Sequence, residues 1–251
     1  MNTNFFKLTA LGLAVMLTGC GGGSGGGGAA SGPTVKPGTS TQSFPLQSGY
    51  NSRVANGHTM NYTISGACSG SANYGRSPPS TVPAGFENVV PALGVTATDT
   101  VSYTTPCNST LAPGAGNSSS TAYYDNNYMY LGSSSSGNYY AVMSPPISVP
   151  VSIKVGDSGP LGTENIYTDS SKVFQLGKTE SSFVVEPDTA VTAIINEIVK
   201  IYKPDPGNPG GYVLSATRQE RSRITANGTL TPVSINTQSN TTAEQLRFTA
   251  R

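Results

Sequence analysis

From His58 onward the chain alternates, with Met60, Tyr62 and Ile64 on one parity and Thr59, Asn61 and Thr63 on the other. A period of two puts one set on a buried face and the other in water, which predicts a half-buried β-strand over 58–65. Arg53-Val54-Ala55 runs into Asn56-Gly57 just ahead of it. Asn-Gly is the strongest two-residue hairpin signal, so a hairpin is expected there. Beyond Cys68 come a Pro- and Ser-rich turn region over 77–83, an apolar stretch over 86–95 and a strand over 98–104 that leads to Cys107. Residues 111–120 are too small and polar to pack and read as a loop. Six tyrosines follow, Tyr123, Tyr124, Tyr128, Tyr130, Tyr139 and Tyr140, around Asp125-Asn126-Asn127 and the Gly/Ser run over 132–137. These read as strands joined by polar turns.

The pattern changes at about Pro150. Only Arg53, Arg76, Glu87, Asp99 and Asp125 are charged over 44–153, whereas 154–251 carries twenty charged side chains. The predicted strands become longer there: 149–155, 161–167, 172–176 and 179–186. The segment 190–202 fits two periods, because Ile194, Ile198 and Ile201 also fall at helical spacing behind Asp188. Strand is the better reading, since seven residues from Val191 to Ile201 are β-branched and the segment has no glycine. The turn-rich run 204–211 then leads to a strand over 212–224, Asn227-Gly228 predicts a hairpin into 229–235, and 243–251 closes the chain. The expected fold is all-β: an antiparallel, sandwich-like part over 44–150, then an antiparallel meander over 151–251 that forms a second domain or continues the first.

Neither period appears before residue 44. A single lysine, Lys7, precedes an apolar run of about ten residues from Leu8, which is too short for a membrane span and has the form of a secretory signal. The run ends in Leu17-Thr18-Gly19-Cys20, which resembles the lipobox of bacterial lipoproteins. In that family the cysteine is diacylated on sulfur, signal peptidase II cuts before it, and the new amine is acylated. The resemblance implies that 1–19 is a signal peptide and that Cys20 is the lipidated N-terminus of a membrane-anchored protein. Two or three acyl chains, at about 0.8 kcal/mol per buried CH₂, make such an anchor close to permanent. Gly21, where an aspartate retains such proteins at the inner membrane, implies lipid anchoring at the outer membrane, periplasm-facing or surface-displayed. Residues 20–43 are dominated by glycine with Ser, Ala, Thr and Pro, and read as a flexible tether. Its expected reach is about 25 to 30 Å. Gly-rich starts of this kind, and a β-rich remainder, are similar to uncharacterised Gram-negative lipoproteins.

Removing Lys7 with the signal leaves thirteen basic against thirteen acidic side chains. A neutral chain with sparse charge has no electrostatic footprint for nucleic acid. Of the three cysteines the lipobox claims one, which leaves Cys68 and Cys107 in an oxidising compartment where they are expected to pair. Two cysteines and the single His58, with no Cys-x-x-Cys, do not make a zinc site.

Candidate chemistry is thin. Gly156-Asp157-Ser158-Gly159-Pro160 resembles the nucleophile segment of chymotrypsin-type proteases, and His58 and Asp99 precede it in that family's order. The family's second glycine before the proline and its Ala-Ala-His-Cys context are missing, and a triad is defined by geometry, so Ser158 reads as a turn residue. The carboxylates Glu186 and Asp188 read as solvated turn residues, and Asp125-Asn126-Asn127 and Asp205-Pro206-Gly207-Asn208 lack a full calcium-loop spacing. No catalytic residue, metal site or cofactor is assigned. On a strand Arg218 and Arg221 face opposite sides, so the Arg218/Arg221/Arg223 cluster does not form one basic grip. The leading expectation is a structural or interaction role at the cell envelope, with the membrane and an envelope protein or glycan as partners. The first alternative is a carbohydrate- or peptide-binding module that uses the six tyrosines as an aromatic platform; the second is a hydrolase.

Overall fold

The computed structural model describes residues 40–136 and 139–251. The signal segment, Cys20 and most of the tether lie outside them. One helix, α1 (Leu46–Asn56), precedes β1 (His58–Gly66), β2 (Gly70–Arg76), β3 (Ser80–Val82), β4 (Ala92–Tyr103), β5 (Gly116–Tyr124), β6 (Tyr130–Ser135) and β7 (Tyr139–Met143). The remaining strands are β8 (Ser158–Tyr167), β9 (Gln175–Pro187), β10 (Thr192–Pro204), β11 (Tyr212–Thr225), β12 (Leu230–Ser239) and β13 (Gln245–Ala250).

From β4 to β13 every strand pairs antiparallel with the next in sequence. Three further pairings close the sheet. The last strand returns to the first, with Ile64 opposite Phe248, and β2 bonds both to β1 and to β4. The result is a twelve-stranded antiparallel barrel, with the short β3 continuing beside β4 where β2 leaves off. Among the described residues, closure leaves no long unpaired edge on the barrel wall.

The expected all-β antiparallel fold with one disulfide is what the structure shows. A closed barrel takes the place of sandwich-like packing, with β1 to β7 and β8 to β13 as staves of one sheet. The long strand over 190–202 is present as β10. Five local expectations differ. The short strand expected over 172–176 is turn and loop up to Phe174, and Gln175 and Leu176 open β9 instead. Asn56-Gly57 ends helix α1 rather than turning a hairpin: Gly57 has φ 63° and its N–H bonds Val54 O. A left-handed glycine serves a helix end as well as a hairpin, and the two are identical in sequence. A Cβ there would also sit 2.6 Å from the Arg76 carbonyl, so the close approach of β2 requires glycine as well. The strand expected over 149–155 reduces to a single bridge, Phe44 with Ile153, because Ile147, Val149 and Ile153 bury themselves under the barrel end instead. Residues 116–120 of the expected loop belong to β5, and β2, whose Gly, Ser and Asn hid the alternation of Ala72 and Tyr74, was not anticipated.

Inward positions follow the period of two. On β4, Val95, Ala97, Asp99 and Val101 are buried while Thr96, Thr98, Thr100 and Ser102 are exposed. At the end where the chain enters, α1 plugs the lumen with Leu46, Tyr50 and Val54 against Val95, Tyr124, Ile195 and Ile224. Toward the opposite end Tyr62, Tyr74, Ile235, Leu246 and Phe248 pack beside the Cys68–Cys107 disulfide. Outside the wall, the β3–β4 connection lays Phe86 on Tyr123, with ring centroids 4.2 Å apart.

Candidate functional site: the polar layer inside the barrel

Between its apolar ends the lumen is polar. On β11 the inward row runs Ala216, Arg218, Glu220, Ser222, Ile224, and on β10 it runs Ala193, Ile195, Glu197, Val199, Ile201. The strand period that buries the isoleucines therefore also carries charges inside. Glu197 and Glu220 are 0% and 2% exposed, and they stand directly opposite each other in the β10–β11 register. Arg218 Nε lies 2.8 Å from Glu220 Oε1. Across the lumen Arg76 of β2 pairs with Asp99 of β4, Nη1 to Oδ1 at 2.8 Å.

The plug helix adds a third guanidinium. Arg53 Nε donates to His58 Nε2 at 3.2 Å and Nη2 approaches Met60 Sδ at 2.8 Å. Burial, and then the charges of Arg53 and Arg76, push His58 down to about 3, so it is a neutral imidazole accepting from arginine. Further round the wall Tyr130 donates its hydroxyl to Glu164 Oε1 at 2.6 Å. Burial dominates there and raises Glu164 to about 7, against the opposing pull of the Tyr130 hydrogen bond and Arg218. Asp99 is also raised by burial, which outweighs Arg76. Glu197 is raised by burial and by the neighbouring Glu220, and Glu220 by burial against Arg218, Arg53 and Arg76.

The six tyrosines do not form one platform. Tyr124 and Tyr130 are buried in the lumen, and Tyr139, a residue of the same inward parity, has its hydroxyl buried beside Ser133 and Ser120. Tyr123 and Tyr140 lie on the outer wall against Phe86, where Tyr140 donates to Glu87. Tyr128 holds a left-handed turn position, φ 62°, against the plugged end. Alternation decides this split, since neighbours in a strand face opposite sides.

The protease-like constellation is not assembled. His58 on β1 and Ser158 on β8 have five strands between them in either direction round the barrel. Asp99 is held by Arg76, and Ser158 is exposed at the edge of the turn closed by Asp157 on Lys154 N. Glu186 and Asp188 sit on the outer wall, paired with Arg221 and Arg223. Asp125 and Asp205 cap their own turns, accepting from Asn127 N and Gly207 N. Cys68 and Cys107 are bonded, with Cα atoms 5.5 Å apart. No group of three or more His, Cys, Asp or Glu arranged for a metal occurs among the described residues. The buried acids Glu164, Glu197 and Glu220 were missed by sequence reasoning, although the parity of β10 and β11 places the last two with the isoleucines.

No family model matches the chain, and no curated protein matches it. Among solved structures it is similar to "a putative exported protein with YmcC-like fold" from Bacteroides fragilis, at 12% identity and a TM-score of 0.34, over 76% of this chain and 92% of that one. A likeness at that level carries no argument about activity or partners.

Proposed function

We propose that this chain is an outer-membrane lipoprotein, anchored through Cys20, whose barrel serves a structural or interaction role at the cell envelope without catalysis. The observation that carries this reading is the outward face of the barrel. Alternate residues of β1 and β4 present Thr59, Asn61, Thr63, Thr96, Thr98 and Thr100 to solvent, and β9 to β11 present ion pairs. A lipid-facing barrel needs an apolar outer band; this wall has the chemistry of one that stands in water. Its attachment to a membrane then falls to the chain ahead of Ser40, where Leu17-Thr18-Gly19-Cys20 supplies a lipidation motif and a Gly-rich stretch supplies reach. The disulfide accords with an oxidising compartment.

Metabolic labelling with a fatty acid tests the anchor. Wild type is expected to take up label and fractionate with outer membranes, and Cys20→Ser is expected to take up none and to lose the fractionation. Equal labelling of the two proteins, or none of either, overturns the proposal.

A further inference from the structure

Four carboxylates, Asp99, Glu164, Glu197 and Glu220, share the polar layer with three guanidiniums, Arg53, Arg76 and Arg218. Two of the acids have a guanidinium at 2.8 Å, and Glu164 has the Tyr130 hydroxyl. Glu197 is the exception. It is fully buried, and neither oxygen meets a well-formed hydrogen bond; the Ser181 hydroxyl beside it helps the ionised form only weakly. Glu220 Oε2, on the stave directly opposite, has no hydrogen-bond partner either. Directly opposed residues of an antiparallel pair have Cβ atoms about 4.5 to 5.5 Å apart, within which two carboxyl groups meet.

We propose that Glu197 and Glu220 hold one proton between them, and that this proton makes the stability of the barrel pH-responsive, greatest in mildly acidic medium. One shared proton turns two facing acceptors into a donor and an acceptor, satisfying oxygens that are otherwise buried without donors. Above about pH 7, where Glu164 is ionised, it also leaves three negative charges in the layer against three positive ones. Two ionised carboxylates at this separation, out of water, repel each other, and the proton is retained on that account.

The groups facing the pair come from every side: Tyr50 and Arg53 of α1, Tyr62 of β1, Tyr74 and Arg76 of β2, Ser181 of β9 and Arg218 of β11. The three arginines favour ionisation, and burial with the second carboxylate opposes it. The latter prevails because Arg218 is already committed to Glu220, and Arg53 to His58 and Met60. The unfolded chain gives this proton up once pH passes the ordinary carboxylate range while the folded barrel keeps it, so the stability that the proton contributes falls as pH rises.

The test uses the folded chain. The infrared carboxyl band of a protonated acid is expected to persist at about pH 9, above the range in which Glu164 ionises. That band is expected to survive Glu164→Gln and to vanish in Glu197→Gln. In thermal melts wild type is expected to lose several degrees between about pH 5 and pH 9, and Glu197→Gln to lose less, so that its melting temperature meets or passes wild type at the alkaline end. If Glu197→Gln fails to fold, the persistence of the band in wild type and in Glu164→Gln decides alone. A wild-type band absent at pH 9, or a Glu197→Gln variant that folds and keeps the band or runs parallel to wild type at every pH, overturns the proposal.

Discussion

Strand β11 carries arginine on both of its faces, and the two faces behave differently. Inward, Arg218 and Glu220 pair in a layer largely withdrawn from water, with side chains 16% and 2% exposed. Outward, Arg221 pairs with Glu186 of β9 and Arg223 with Asp188 just past the end of β9, their guanidinium side chains 37% and 46% exposed. The outer pairs face solvent that can replace either partner, so each contributes little. The inner pair was stripped of water when the barrel closed, and removing one member leaves the other without compensation. One strand period thus produces two kinds of ion pair, and burial alone separates them.

The largest effect is expected at Arg218. Arg218→Ala leaves Glu220 opposite Glu197 with no guanidinium at bonding distance, and a loss of about 3 to 5 kcal/mol is expected. A urea titration reads it. A loss below about 1 kcal/mol would put the inner pair in the same class as the outer ones.

Cys107→Ser serves as the control that leaves the charges alone. It opens the bond to Cys68, 39 residues away, beside the apolar end of the lumen. About 3 to 4 kcal/mol is expected in the chain-entropy model. The freed Cys68 thiol ionises only near about pH 8.5, so the loss should be constant between about pH 5 and pH 7.5. A loss that varies steeply with pH would mean that the disulfide and the polar layer are coupled.

The smallest effect is expected outside. Arg223 Nε and Nη2 reach the two Asp188 oxygens at 2.6 and 3.1 Å. Despite that geometry, Arg223→Ala is expected to cost less than about 1 kcal/mol, and the gap should shrink in molar salt as exposed charges are screened. Melts of both proteins at low and high salt check it. A cost equal to that of Arg218→Ala would remove the distinction between the faces.

Much of the wall was legible in the residues. Alternation located β1 and β11, β-branching rightly overruled the helical spacing of Ile194, Ile198 and Ile201 in β10, Asn227-Gly228 located the hairpin into β12, and opposite parity separated Arg218 from Arg221. The plug was not legible. Leu46 to Asn56 has no acidic first turn and no side-chain N-cap bond, and Gly57 suits a helix end and a hairpin equally. Its helical form comes from burial of Leu46, Tyr50 and Val54 in a lumen that exists only after twelve strands have closed. The tyrosines show the same limit: their sequence density suggested a surface, and the pleat sent Tyr124, Tyr130 and Tyr139 inward.

The sequence by itself determined that this is an all-β, antiparallel, disulfide-bonded chain, because side-chain period, turn residues and cysteine supply are local or compositional quantities. Only the tertiary structure decided that the staves close on one another, that α1 fills one end, and that Glu197 faces Glu220 with three arginines nearby. Those facts depend on β13 returning to β1 and on β2 reaching β4, pairings between residues far apart in the chain. The energy of a buried charge is likewise set by what surrounds it in space, and no period along the chain encodes that.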